Sequence, residues 1–344
     1  MKENEANVND KRPFVDATRS SMLLAGDIGG TKTLLGVFDS TPPRPHPVAS
    51  DSFPTLEYDD LSAMIAAFLE AHGSRRESIT AACFGVAGPV IGDTAELTNV
   101  PWRVDVRRVA DAFGLKRAVL LNDLQAMAYA VPVLRASEIH VLQAGEPQPG
   151  GNMAVIAAGT GLGQALLHNV NGRFVPSPAE AGHADFAART EREIAVLRAL
   201  TARFGRVEVE RVVSGRGLSN LHRIVHDDRR CAAGIDPDDL ESPAAISTAA
   251  MERRCKECVE AFDIFIEAYG AETGNLALRA LATAGVFLGG GIAPKILGAL
   301  DAGPFMHAFR AKTPLEPLLA RIPVNVILNA ESGLLGAAVF AAAN

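Results

Sequence analysis

The run Leu23–Phe38, LLAGDIGGTKTLLGVF, places one acid and two glycines between apolar stretches. Gly29 and Gly30 lack Cβ atoms, so their backbone amides can approach an anion closely. Thr31 and Thr33 add hydroxyls, and Asp27 puts a carboxylate where a Mg²⁺ bridging phosphates needs one. The chemistry that fits is phosphate binding of a nucleotide; the alternative is a tight turn whose aspartate satisfies local amides. Gly159-Thr160-Gly161 repeats the pattern and suits the far side of a triphosphate. Gly289-Gly290-Gly291 offers bare backbone on which an adenosine ring can lie. The sequence has no GxxxxGK[ST] run and no GxGxxG opening a helix, so P-loop and dinucleotide sites are set aside.

Two further groups carry proton and hydroxyl chemistry. Asp123 follows the apolar run Val119–Leu121 and precedes a helical pattern, so it stands where a strand ends and ligands of open α/β sheets bind. It can serve there as a general base or as the N-cap of the next helix, and Asn122 shares the ambiguity. Glu180-Ala181-Gly182-His183-Ala184-Asp185 sets a carboxylate and an imidazole around a glycine, which suits the hydroxyls of a polyol. The same spacing admits a metal, but without a clear third ligand. Glu210 lies beside a glycine turn and, alone, reads as a solvated or capping residue.

Positioning these groups takes alternating strands and helices, the pattern of an α/β chain. Leu23–Phe38 and Met153–Leu167 each read as a hairpin with a glycine tip, a weak internal repeat that suggests two related domains sharing a cleft. Ile79–Val86, Ala118–Leu121, Gly285–Leu288 and Val324–Leu328 read as strands. Leu56–His72, Arg107–Phe113, Leu124–Val131 and Gly333–Ala343 read as helices, and Thr190–Leu281 is mostly helical by periodicity. Thr41–Pro47 is a proline-rich loop.

A length of 344 residues predicts two domains, because one core rarely grows so large. With 48% hydrophobic and 21% charged residues the chain can fill such cores and remain globular. A net charge of −7 supplies no basic face for nucleic acid. Residues 1–21 read as a flexible polar tail rather than a signal peptide, and no run is apolar enough for a membrane span. Cys255 and Cys258 form a C-x-x-C inside the helical pattern MERRCKECVEAFDIFIEAY. With no second pair and no nearby His-x-x-x-His to complete a zinc set, they read as reduced helix cysteines, which suggests the cytoplasm.

From about Leu23 onward the chain resembles the bacterial glucokinase family, the group without the cysteine-rich zinc motif. The resemblance rests on GDIGGT (26–31), the TN-x-x-W of Thr98–Trp102, LLND (120–123), AGTGLG (158–163), EAGHADF (180–186), ERVVSGRGL (210–218), FLGGGIAPKIL (287–297) and ESGLLGAA (331–338). It implies two actin-like (ribonuclease H-like) α/β domains around a central cleft. Residues 22–122 with 330–344 would form the smaller domain and 123–329 the larger. It also implies ATP, Mg²⁺, phosphorylation of glucose at its 6-hydroxyl, and a homodimer. By motif match Asp123 would be the general base, with Asn122 beside it. Glu180, His183 and Glu210 would hold sugar hydroxyls, and Asn99 would lie near the sugar. Gly26, Asp27, Ile28, Gly29, Gly30 and Thr31 would surround the phosphates. The chain departs from the family's Glu-Gly-Gly-His at Ala181 and from its usual polar residue at Lys32, so sugar affinity and nucleotide preference are where it is expected to differ. A kinase for another hexose, an actin-like ATPase and a sugar sensor are the competing readings.

Overall fold

The computed structural model describes residues 21–73, 78–97, 100, 102–227, 229–236 and 238–343. The first half opens with β1 (Met22–Ile28), β2 (Lys32–Asp39) and β3 (Pro47–Pro54), an antiparallel meander. Then come α1 (Leu61–Ala71) and β4 (Ile79–Val86). A three-stranded flap follows: β5 (Val90–Ile91), β6 (Thr94–Glu96) and β7 (Arg103–Asp105). It leads into α2 (Val106–Phe113), β8 (Ala118–Asn122) and α3 (Asp123–Ala130). The strand order is β3-β2-β1-β4-β8, with β1, β4 and β8 parallel. Alternation along β1 explains why both faces are covered. Leu24 and Ile28 pack with α1 and α2, whereas Leu23 and Ala25 meet the C-terminal helix α11 (Ser332–Ala343).

The second half contains β9 (Ile139–Gln143), β10 (Met153–Ala158), β11 (Leu162–Val170) and β12 (Arg173–Ala179). A helical layer follows: α4 (Glu191–Phe204), α5 (Gly215–His226), α6 (Pro243–Met251) and α7 (Lys256–Ala280). The chain ends with β13 (Gly285–Gly289), the short helices α8 (Leu297–Asp301), α9 (Pro304–Arg310) and α10 (Glu316–Leu319), then β14 (Val324–Ile327) and α11. Here the order is β12-β11-β10-β13-β14-β9. Leaving aside the antiparallel edge strand β9, this reproduces the first sheet in order and in strand direction. The weak repeat between the two glycine hairpins is therefore a repeat of whole sheets. Among the described residues no helix is long and apolar enough to cross a membrane.

Between the sheets lie α3 and α11. Their backbones touch: a Cβ on Gly336 would stand 1.7 Å from the Ala126 carbonyl oxygen.

Several expectations need correction. The helix read over Leu56–His72 begins only at Leu61, because Asp60 caps it by accepting from the Ala63 amide at 2.8 Å. The helical pattern around Cys255 and Cys258 is broken. α6 ends at Met251 and α7 starts at Lys256, so Cys255 stands before the helix and Cys258 in its first turn. Nor are these cysteines without histidine neighbours. His222 and His226, one turn apart on α5, reach them from about thirty or more residues upstream, a spacing that hid the His-x-x-x-His.

Candidate active site

Asp123 and Asn122 divide the roles that the sequence left open. Asn122 is the N-cap of α3: its Oδ1 accepts from the Leu124 amide at 3.0 Å and from the Gln125 amide at 3.3 Å. Asp123 is the first residue of the helix, and its Oδ1 also accepts from the Leu124 amide, at 2.8 Å. The capping job thus falls on the neighbour. The Asp123 side chain is half-buried where β8 gives way to α3. Burial, and then the charge of Glu180, push its carboxyl up to about 6, against the pull of the Leu124 amide.

Asp27 faces the same space from the end of β1. Its carboxylate lies against Gly333 at the start of α11. Burial, and then the Asp123 charge, push it up to about 7, with Lys32 opposing. Among the described residues no hydrogen bond reaches this carboxylate. A half-buried acid without a donor among the described residues, beside a second acid, suits a cation, and Asp27 fits the Mg²⁺ of a nucleotide on those grounds. The tip after it is tied by Gly29 N–H donating to the Lys32 carbonyl at 3.1 Å and by the Thr55 hydroxyl donating to the Gly29 carbonyl at 2.9 Å. Thr33 spends its hydroxyl on Thr55, 2.9 Å away, inside the core.

The second tip is built around Leu162. Its amide donates to Glu210 Oε2 at 2.7 Å. Its carbonyl is so close to the Glu180 loop that a Cβ on Gly182 would stand 2.0 Å from it. Glu210 is thus neither a cap nor a solvated residue: it holds the tip Gly159-Thr160-Gly161 from below. The Glu180 and Glu210 segments are joined by strand-like pairing, with the Phe186 amide donating to Val207 and the Val209 amide to Ala184, at 3.0 and 2.9 Å. Glu180 and His183 are both exposed on this loop. Ala181 is half-buried inside the intact turn Glu180–Ala184, so the methyl group that departs from the family pattern is accommodated. Arg206 fixes the loop from outside, donating to Asp185 at 2.7 Å and to the His183 carbonyl.

The Gly289–Gly291 turn leaves β13 beside the end of β10, where the Ile292 amide donates to the Ala158 carbonyl at 3.3 Å. The Gly215 amide, opening α5, donates to the Gly159 carbonyl at 2.8 Å. Both turns and Asp27 therefore stand at the carboxyl ends of parallel strands. Asn99 lies outside the described residues.

Sequence reasoning missed Gly333 and Arg206. Gly333 belongs to the matched segment ESGLLGAA, but nothing in its local pattern points at Asp27, and Arg206 reads as one more surface arginine.

The chain matches the glucokinase family over residues 24–344. Glucokinase of Nostoc punctiforme is 39% identical over 341 residues, covering 94% of this chain and 99% of the relative. Glucokinase of Yersinia enterocolitica is 36% identical over 324 residues, covering 93% and 96%. Among solved structures, a glucokinase from an Antarctic psychrotroph superposes with a TM-score of 0.83 at 28% identity, covering 94% of this chain and 99% of that one. A Balamuthia mandrillaris glucokinase in complex with glucose gives 0.74 at 22% identity, with 96% of each chain covered. A ROK-family glucokinase from Streptomyces griseus, in complex with glucose and AMPPNP, gives 0.62 at 22%, covering 94% and 100%.

Proposed function

The chain belongs to the glucokinase family, and from that premise we propose that Asp123 is the general base that takes the proton of the glucose 6-hydroxyl as the γ-phosphoryl group of ATP is transferred. The protein is an ATP-dependent glucose kinase. In phosphoryl transfer most of the work is positioning and charge stabilisation, which preorganised amides supply without rearranging. Gly26–Thr31 and Gly159–Gly161 flank the phosphates, and Gly289–Gly291 takes the adenosine. Glu180, His183 and Glu210, with Asn99 and Asn122, hold sugar hydroxyls. Asp27 would hold Mg²⁺ through water, and the ion would supply positive charge that offsets the charge of the phosphates. Residues 22–122 with 330–344 close on residues 123–329 and shut water out of the site. The resemblance of the motifs to the bacterial glucokinase family also leads us to a homodimer, which sedimentation equilibrium tests. A cytoplasmic location is supported by four cysteines, none of them in a disulfide.

The single observation behind the assignment is the division of labour at the start of α3. Asn122 takes the cap, and burial leaves the Asp123 carboxylate basic enough to accept a proton near neutrality. Asp123→Asn is therefore expected to lower kcat about 10²–10⁴-fold while KM for ATP stays within a few fold. Near-normal turnover by that variant, measured as sugar-dependent ADP release, would falsify the assignment.

A further inference from the structure

Away from this site, at the far end of α5, five buried side chains that the kinase reaction does not use converge. His222 and His226 project from the last turns of α5, Cys231 lies in the loop beyond it, and Cys255 and Cys258 open α7. All are at most 3% exposed. One ligand atom from each of His222, His226, Cys231 and Cys258 lies within 4.8 Å of every other. We propose that these four residues hold a tetrahedral zinc ion that staples α5 to α7.

Three observations carry this. First, among the described residues both ring nitrogens of His222 are buried without a hydrogen-bond partner. A lone imidazole placed so pays a desolvation penalty with nothing in return, whereas a metal ligand does not. Second, His226 Nδ1 lies 2.8 Å from the His222 carbonyl, which only a proton on Nδ1 can bridge. That contact fixes the tautomer and leaves the Nε2 lone pair free of the proton, the arrangement in which histidine binds zinc. Cys255 Sγ lies 3.5 Å from this Nε2 and flanks the set. Third, Cys231 Sγ and Cys258 Sγ are 3.6 Å apart and unbonded. Two thiolates at ~2.3 Å from one tetrahedral zinc stand about 3.8 Å apart, so the pair already has close to that spacing. Two nitrogens and two sulfurs in tetrahedral reach select zinc over the hard cations, which take oxygen ligands. Binding deprotonates both thiols and releases their two protons to solvent. The opposite end of α5 carries Gly215, bonded to the Gly159 tip, so the staple steadies a helix that reaches the nucleotide site.

The test is zinc content of the full chain, expressed with zinc, purified with reductant and dialysed against metal-free buffer. About one zinc per chain is expected by elemental mass spectrometry. Cys258→Ser and His222→Ala should each lose at least nine-tenths of it, while Cys83→Ser, in the first sheet, keeps it. Should either ligand variant fail to fold, cobalt(II) exchanged into the wild-type chain decides. The intense visible bands and sulfur charge transfer of a tetrahedral thiolate site support the proposal, and the pale spectrum of six-coordinate cobalt overturns it. It is equally overturned by wild-type protein free of zinc, by zinc that survives Cys258→Ser, or by a Cys231–Cys258 disulfide in the wild-type chain.

Discussion

At the scale of single residues, the acids of the site compete. Burial and the Asp123 charge raise the proton affinity of Asp27 to about 7, and burial and the Glu180 charge raise that of Asp123 to about 6. For Asp123 the sign is clear. Its native value lies above the ordinary 3.8, so the fold favours the protonated form; that benefit is whole below about pH 3.8 and is lost as pH rises through about 6. Two consequences can be measured. The acid limb of log kcat/KM for glucose should bend near pH 6. Asp123→Asn, which cannot ionise, should be more stable than wild type at pH 8, by about 1–3 kcal/mol, and no more stable at pH 3.5. Denaturant melts at the two pH values check this, and equal differences at both would refute the ionisation cost. Glu180 is exposed where a sugar is expected to dock, so Glu180→Gln should raise KM for glucose at least about tenfold with little change in KM for ATP. Equal changes in both constants would remove it from the sugar site.

At the scale of elements, the second hairpin depends on how closely the Glu180 loop approaches Leu162. Gly182 leaves no room for a methyl group against the Leu162 carbonyl, whereas residue 181 already carries one. Gly182→Ala should therefore push the loop off the tip and raise KM for glucose, with a stability loss of about 1–3 kcal/mol; Ala181→Gly should do neither. Initial-rate kinetics and thermal melts on the two variants make the comparison. Much of the framework was legible in the sequence for plain reasons. The hairpins, β4 and β8 are short apolar runs bounded by glycine or polar residues, and α2 ends at Gly114, which takes the left-handed conformation at φ 65°. The polar strand β3, PVASDSFP, was not legible because most of its side chains are exposed, leaving no alternation to read. The roles of Asn122 and Asp123 stayed ambiguous for a different reason: both residue types cap helices, and only the positions of their oxygens separate them. The histidines of α5 escaped because a metal site assembled from two helices and a loop has no fixed spacing in sequence.

At the scale of the whole molecule, the chain passes between its halves in two places, near residues 122–138 and 328–332. Glu138 binds these crossings together. It receives both arms of the Arg44 guanidinium at 2.7 Å, the Asn329 amide group at 2.9 Å and the Arg135 amide at 2.8 Å. Arg44 belongs to the proline-rich loop of the first half, so this junction ties that half to the segments that cross into the second. Arg44 and the Arg135 amide hold the Glu138 carboxyl down at about 2. Its contribution is therefore complete above the ordinary value of about 4.5 and is lost as pH falls through about 2. Glu138→Gln should destabilise the fold by about 1–3 kcal/mol at pH 7, a difference that shrinks as the melt is moved toward pH 2.5. A constant difference across that range would mean that packing, not charge, is what the variant loses.

The duplicated sheets have a consequence for how a lopsided pair of ligands is told apart. A triphosphate and a neutral sugar cannot be received by two identical hands. The counterpart of Asp27, two places before the second tip, is Ala157, a small apolar side chain. An acid at the end of the first strand, with none at the matching place of the second, gives the cleft its polarity: a metal ion accompanying the phosphates would settle at the first hairpin.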